Sequence, residues 1–120
     1  MVKKHIADRY FWYIYHGVKV AEGREISGFW NLDLLGEVVT FHNGEQEYDC
    51  VITRCNVYTG IDKQHAITNM LLFEGIKKML PDVDNTQDAI NTYMGFGDNV
   101  DHRFGVFFID VISDLRQYTK

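Results

Sequence analysis

The sequence has little proline and cysteine, and it has no long apolar run. One proline and two cysteines occur among 120 residues, so we expect no disulfide framework and no proline-rich linker. No apolar stretch approaches the roughly 20 residues that span a bilayer. Near the N-terminus, Asp8 and Arg9 precede the apolar residues and no small-residue cleavage site follows, which argues against a signal peptide. These absences predict a soluble, intracellular protein that is cytoplasmic or, in a eukaryote or virus, nuclear.

Basic residues are also in deficit. The chain has 12 Lys and Arg against 17 Asp and Glu, and its formal net charge is −5. Non-specific binding to a polyanion depends on cations that neutralise phosphates, so a broad phosphate-tracking surface is disfavoured, whereas a local basic groove stays open. The histidines show no metal-ligand spacing with each other or with the cysteines, and we predict no metal and no cofactor. They are His5, His16, His42, His65 and His102.

The two cysteines, Cys50 and Cys55, lie in one segment that is typical of a strand. Five positions apart in a regular strand, they point to opposite faces and lie beyond bridging distance. A reducing compartment is therefore expected.

The composition is otherwise that of a globular protein. Hydrophobic residues make up 46% and aromatic residues 14% of the chain, which is enough to bury a core without a disulfide or a metal. No linker, repeat or low-complexity segment divides the sequence. We expect one domain over residues 1–120 that acts as a monomer.

Three helices are predicted. Asp8 is a candidate N-cap for a short aromatic helix that Gly17 ends. Residues 61–80 have helical spacing with a bend near 68–71 and end at Pro81. A third helix begins near Thr86 and is stopped by glycines.

The remaining segments predict strands. Residues 18–25 alternate imperfectly, which indicates a strand with an irregularity at 21–23. A hairpin turn at Asn43-Gly44 joins two strands, and residues 103–113 form a buried central strand. This order favours an α+β domain with a small curved sheet or barrel and helices covering its ends.

Several motifs occur in an order that resembles a known family. Gly17, Lys19, Glu22 and Arg24 match a G-x-K-x-x-E-x-R strand. The other matching residues are Gly36, Glu37, Val39 and Phe41 in a second strand, and Gly105, Val106, Ile109 and Val111 in the closing strand. Together they resemble an ASCH domain of the PUA-like superfamily, although Asp82 stands where many members have glycine.

The resemblance implies a PUA-like barrel of five or six strands with peripheral helices. It also implies binding of RNA or of a nucleotide-like ligand in a cleft lined by the first motif. Some small bacterial members hydrolyse 4-acetylcytidine. Because one fold serves many functions, the site is argued separately below.

Lys19, Glu22 and Arg24 form the first candidate site. Arg24 suits planar contacts with a base or phosphate, Lys19 supplies a point charge, and Glu22 can orient Arg24 or accept from an amino group. The alternative is a solvated strand face with weak ion pairs.

Four further residues are candidate neighbours of that site. Trp30 and Tyr58 are candidate stacking platforms for bases, although Trp30 also suits the core. Arg54 and Asn56 share a strand face and are candidate donors beside Lys19, unless Arg54 pairs with Glu37 or Glu47 at the surface.

Two other classes of function remain open. In the amidohydrolases of the family the lysine works with a threonine three positions later and a glutamate; here Glu22 replaces the threonine, and Glu74 is the candidate glutamate. A ribonuclease that uses Lys19 with a carboxylate is a second enzyme hypothesis. Asp98, Asp101 and His102 could suggest nuclease-like metal chemistry, but a polar turn explains them better. A protein-interaction module is the third class, if the aromatic helix is exposed.

Overall fold

A computed structural model describes residues 2–96 and 102–119. It contains three α-helices and one mixed sheet. The helices are α1 (Asp8–Tyr15), α2 (Lys63–Glu74) and α3 (Thr86–Met94). The strands are β1 (Val2–His5), β2 (Ala21–Glu25), β3 (Val38–His42), β4 (Gln46–Thr59), β5 (Arg103–Val111) and β6 (Arg116–Gln117). The longest helix has 12 residues, and no helix in the described ranges is long and apolar enough to cross a membrane.

The sheet curls into a half-barrel. Its strand order is β1-β3-β4-β5-β2, with β6 pairing to β4. The β1–β3 pair is parallel and the other pairs are antiparallel. This architecture confirms the predicted α+β fold with five or six strands and peripheral helices, and it is consistent with a PUA-like barrel.

Helices cover both faces of the sheet. On the first face, called the α1 face, Phe107 and Ile109 of β5 pack with Phe11 and Ile14 of α1. On the second, called the α2–α3 face, Phe104 and Val106 of β5 pack against both other helices. The core side chains of those helices are Ala66, Ile67, Met70, Leu71, Ala89, Ile90 and Tyr93. Alternation along β5 thus divides the core into two clusters.

The ends of the helices differ from the sequence prediction. Ala7 precedes α1 and has no capping side chain; Asp8 lies in the first turn and accepts from the Nε1 of Trp12 at 3.1 Å. Helix α2 has no bend at 68–71 and ends at Gly75, whose φ of 78° is readily reached only by glycine. Apolar spacing continues past Gly75, which explains why the sequence prediction extended the helix to Pro81.

The strand irregularity lies in β4 and not in β2. Residues of β2 pair with β5 without a break from Ala21 to Glu25, so the predicted irregularity at 21–23 is wrong. The register of β4 against β5 shifts between Ile52 and Arg54, which makes Thr53 an extra residue. The predicted hairpin is confirmed: β3 and β4 are joined at residues 43–45, where Gly44 has a φ of 96°.

The bulge at Thr53 also changes where the cysteines lie. Cys50 pairs with Val111 and Cys55 with Phe107, so both side chains are on the α1 face. The prediction of opposite faces is wrong because it assumed an unbroken period of two. Both thiols are free, as predicted.

Candidate functional site

The loop after α1 buries the side chain of Lys19. The backbone N–H groups of Val18 and Lys19 both donate to the carbonyl of Tyr13, at 2.9 and 3.0 Å. Gly17 permits this tight reversal with a φ of 75°. The result is a lysine whose side chain is only 1% exposed.

The Lys19 ammonium has internal partners. It donates to the backbone carbonyl of Met79 and lies 3.6 Å from Oε1 of Glu22. The ring of Tyr10 is 5.1 Å from its Nζ. Burial lowers the pKa of Lys19, and the Glu22 carboxylate only partly opposes this effect. Lys19 therefore loses its proton more readily than a lysine in water.

Glu22 connects Lys19 to Arg24. The same Oε1 atom lies 3.4 Å from Nε of Arg24. Exposure of the three side chains increases along this line, from 1% for Lys19 to 8% for Glu22 and 32% for Arg24. The predicted first site is thus a chain of charges that runs from the interior to the surface. We call it the Lys19 cluster.

Aromatic side chains surround the exposed end of the Lys19 cluster. The Cζ atom of Arg24 lies 5.5 Å from the ring of Trp30 and 5.4 Å from that of Phe96. Trp30 is only 4% exposed, so it supports the guanidinium from the core and does not present a face to solvent. Trp30 is therefore not exposed as the stacking platform that the sequence suggested.

Three buried donors near Arg24 lack hydrogen-bond partners among the residues that the structure describes. They are Nε1 of Trp30, the hydroxyl of Tyr93 and Nε of Arg24, which lies 3.4 Å from Oε1 of Glu22 without the geometry of a hydrogen bond. Burial and the charge of Glu22 raise the pKa of Tyr93, so its hydroxyl keeps its proton. Unsatisfied buried donors are rare and unfavourable. Trp30 belongs to the cluster on the α1 face and Tyr93 to the cluster on the α2–α3 face, so these two donors lie on different faces of the sheet.

Two residues that the sequence analysis did not assign to the site belong beside it. Asp82 pairs with Arg9 at 2.8 Å, and its charge acts on both Lys19 and Tyr10. Burial and the Asp82 carboxylate raise the pKa of Tyr10. The signal in the sequence was the carboxylate of Asp82 at a position where many of the ASCH domains that the sequence resembles have glycine. Titratable groups with shifted pKa values concentrate at functional sites, which strengthens the candidate.

Arg54, Asn56 and Tyr58 form a separate group. They pair across the sheet with Phe108, Val106 and Phe104, on the α2–α3 face. Arg54 and Asn56 therefore share a face, as predicted. Glu22 and Arg24 pair with Phe107 and Gly105 on the opposite face. The structure divides the predicted site in two because adjacent positions of β5 face opposite sides.

Glu74 organises this second group. Its Oε2 accepts from Nδ2 of Asn56 at 2.7 Å and from the hydroxyl of Tyr58, and its Oε1 accepts from Nζ of Lys78 at 3.0 Å. Burial raises the pKa of Glu74, but the three donors outweigh it and hold that pKa below its usual value. In the described part of the chain Glu74 bonds to these groups and not to Lys19. The structure thus does not form the partnership that an amidohydrolase with Lys19 and Glu74 requires.

Other sequence hypotheses find less support in the structure. Among the aromatic side chains of α1, Phe11 is buried and the other four are half-buried, so none of them is fully exposed. Asp98 and Asp101 lie outside the described residues. Within the ranges 2–96 and 102–119, no three His, Cys, Asp or Glu residues form a group that could hold a metal ion.

Comparison with known proteins identifies the fold. No protein-family model and no curated protein matches the chain. The crystal structure of hypothetical protein PH0355 superposes with a TM-score of 0.74 at 22% identity, over 92% of this chain and 97% of that one. Our chain shares this fold. The solution NMR structure of protein PF0455 from Pyrococcus furiosus gives a TM-score of 0.65 at 17% identity, over 92% and 96% of the two chains. At these identities the likeness extends to the fold alone.

Proposed function

We propose that the protein binds a nucleotide or a short single-stranded RNA at the exposed end of the Lys19 cluster, inside the cell. The observation that carries this proposal is the Arg24 guanidinium, which is 32% exposed at the end of the Lys19 cluster and lies within 5.5 Å of the ring centres of Trp30 and Phe96. Nucleobases and phosphates both offer several acceptor atoms. A bound base or phosphate would accept hydrogen bonds from the exposed side of the Arg24 guanidinium.

The charges of the cluster suit such a ligand. Arg24 has a planar guanidinium that can make paired contacts with a base edge or a phosphate. Glu22 orients Nε of Arg24 and can accept from an exocyclic amino group. The net charge of −5 favours a local pocket for one or two nucleotides over a long basic surface. The resemblance to ASCH domains supports the same class of ligand.

A titration followed by backbone amide NMR tests this proposal. Short mixed-sequence RNA, cytidine and 4-acetylcytidine are added in turn to the labelled protein. We expect shifts concentrated at residues 19–24, and about 10- to 100-fold weaker binding in Arg24→Gln, because hydrogen bonds to charged groups are the strong ones. Lys77→Gln is the control, since it removes one exposed cation that pairs with Asp84 and the carbonyl of Pro81, away from the Lys19 cluster. Normal affinity in Arg24→Gln would refute the proposal.

One observation favours a second candidate, hydrolysis of an acylated nucleoside. Lys19 is buried with a lowered pKa beside a carboxylate, which is the environment of a lysine general base. Neutral Lys19 would take a proton from water as the oxygen bonds to the acetyl carbon, and the proton would pass to N4 as the amide bond breaks. Because Glu22 replaces the family threonine, the nucleophile here is water.

Chromatography of the products tests this candidate. Incubation with 4-acetylcytidine should yield cytidine and acetate, at a rate that rises with pH as Lys19 loses its proton. Lys19→Met should abolish the reaction, whereas Glu74→Gln should leave it unchanged because Glu74 does not contact Lys19. Turnover that survives in Lys19→Met would exclude Lys19 as the base.

A further inference from the structure

An open cavity of about 460 Å³ lies on the sheet outside the Lys19 cluster. Its walls come from the bulge in β4, the end of β5 and the residue that precedes β2. The lining residues are Val20, Thr53, Arg54, Phe108, Ile109 and Asp110. Its volume is within the range typical of small-molecule sites.

The most distinctive feature of this cavity is a stacked cation. The Cζ atom of Arg54 lies 4.1 Å from the centre of the Phe108 ring. At that distance the guanidinium must lie over the ring face, because an approach at the rim would leave the centre farther away. Arg54 is exposed, and its side chain makes no ion pair or hydrogen bond with the described residues. Its outer surface and its N–H groups are available to a ligand.

A second cation near the same ring is already paired. Nζ of Lys78 lies 5.4 Å from the centre of the Phe108 ring and 3.0 Å from Oε1 of Glu74. Glu74 is 5% exposed and is fixed by Asn56 and Tyr58. Lys78 therefore borders the platform without contributing a net charge to it. Of the two cations near the Phe108 ring, Arg54 is the one that a ligand can contact.

Asp110 determines which ligand fits. It lies two positions after Phe108 on β5, so it is on the same face, and it lines the same cavity. Its carboxylate and Arg54 give the cavity one acceptor group and one donor group whose charges cancel. A phosphate would be repelled by Asp110, whereas a nucleobase both donates and accepts hydrogen bonds and has a flat face.

We propose that this cavity is a nucleobase subsite, in which the base stacks on the outer face of the Arg54 guanidinium and Asp110 accepts from an exocyclic amino group. Guanidinium planes are a common support for unpaired bases. Cytosine, adenine and guanine have the amino group that Asp110 requires, and uracil lacks it. The subsite takes its class of ligand from the proposed function but uses other residues, on the opposite face of the sheet.

Amide NMR titrations with cytidine and with uridine test the subsite. With cytidine we expect shifts at Val20, Arg54 and Asp110, and about tenfold weaker binding of uridine. Arg54→Gln should weaken cytidine binding there by about 5- to 150-fold, if the guanidinium supports the base as well as an aromatic side chain does. Asp110→Asn should reduce the preference for cytidine, because an amide both donates and accepts.

A matched control removes a different stacked cation. Lys4 is on β1, three strands from β5, and its ammonium lies 4.6 Å from the ring centre of Phe29. Lys4→Gln deletes this ammonium and changes the net charge by the same amount as Arg54→Gln. It should leave cytidine binding unchanged. The dispersed amide spectrum of each variant verifies that it is folded.

The outcomes separate this inference from the proposed function. Shifts at residues 22–24 without shifts at Arg54 and Asp110 would overturn the subsite and leave the Arg24 site standing. Shifts at Arg54 and Asp110 alone would support the subsite and overturn the Arg24 site. Equal affinity for cytidine and uridine would overturn the role of Asp110, and an absence of shifts at both places would overturn both proposals.

Discussion

Replacing Gly23 by alanine perturbs the closest contact between β2 and α3. A Cβ atom at position 23 would lie 2.7 Å from the hydroxyl oxygen of Tyr93 and 3.0 Å from Sδ of Met79. Tyr93 is a rigid side chain that is fully buried against Phe96 and Phe104, so it cannot move aside without displacing its neighbours. The added methyl group therefore has to push α3 away from the sheet.

The size of the effect follows from these contacts. Overpacking a well-filled core lowers the free energy of unfolding by about 1–3 kcal/mol. The intrinsic preference of strands for alanine over glycine offsets about 0.5–1 kcal/mol at most. We expect Gly23→Ala to be destabilised by about 1–2 kcal/mol. Tyr93→Phe removes the nearest clashing atom and a buried hydroxyl without a partner, so the same glycine substitution should be less harmful in that background.

Urea unfolding of four proteins measures this coupling. The wild type, Gly23→Ala, Tyr93→Phe and the double variant form a mutant cycle, and we expect a coupling free energy of about 0.5 kcal/mol or more. The double variant should relieve the clash only in part, since Cζ at position 93 and Sδ of Met79 both stay 3.0 Å from the new Cβ atom. A Gly23→Ala variant as stable as the wild type, or additive effects in the cycle, would show that β2 and α3 are not in this contact.

Three further predictions concern titratable groups. Because the pKa of Lys19 is lower in the folded state, the unfolded state binds more protons between that pKa and 10.5, and the free energy of unfolding rises with pH in that window. Lys19→Met should flatten this alkaline rise when the urea midpoint is plotted against pH. An unchanged rise would contradict the burial of the ammonium. The pKa of Glu74 is lowered in the folded state, so the stability that its carboxylate contributes is present above pH 4.5 and is lost as pH falls through the folded pKa. Glu74→Gln should lower the free energy of unfolding by roughly 1–3 kcal/mol at neutral pH. Ultraviolet titration of the same variant should show the pKa of Tyr58 below its value of about 12. Burial raises the pKa of Cys55 to about 11, so alkylation at pH 8 should be at least about a hundredfold slower than that of a free thiol; a rate close to that of glutathione would refute this.

Local chemistry accounts for the elements that the sequence predicted well. Asn43-Gly44 supplies the positive backbone dihedral of the β3–β4 hairpin, and Gly44 adopts it. The dense apolar residues of β5 require a strand that is covered on both faces, and β5 lies between β4 and β2 with helices on each side. Each of these signals lies within a few residues of the feature it predicts.

The errors arose where a local pattern continued past a structural change. Apolar residues keep helical spacing beyond Gly75, yet the positive φ of that glycine ends α2. The alternation of β4 continues past Thr53, but the extra residue reverses which face the following side chains occupy. A bulge depends on pairing with the neighbouring strand, so the sequence of β4 alone does not reveal it.

The sequence by itself determined the three helices, the four longer strands, the hairpin and the residue types of the Lys19 cluster, because turn chemistry, hydrophobic period and motif spacing act over short distances. Only the tertiary structure decided that Lys19 is buried under α1, that Asp82 and Tyr93 lie beside the cluster, and that Arg54 joins Phe108 on the other face. Those arrangements depend on strand order and register, which bring together residues far apart in the chain. Side chains from distant segments acquire their partners, their burial and their pKa values only when the strands pair and the helices pack on the sheet.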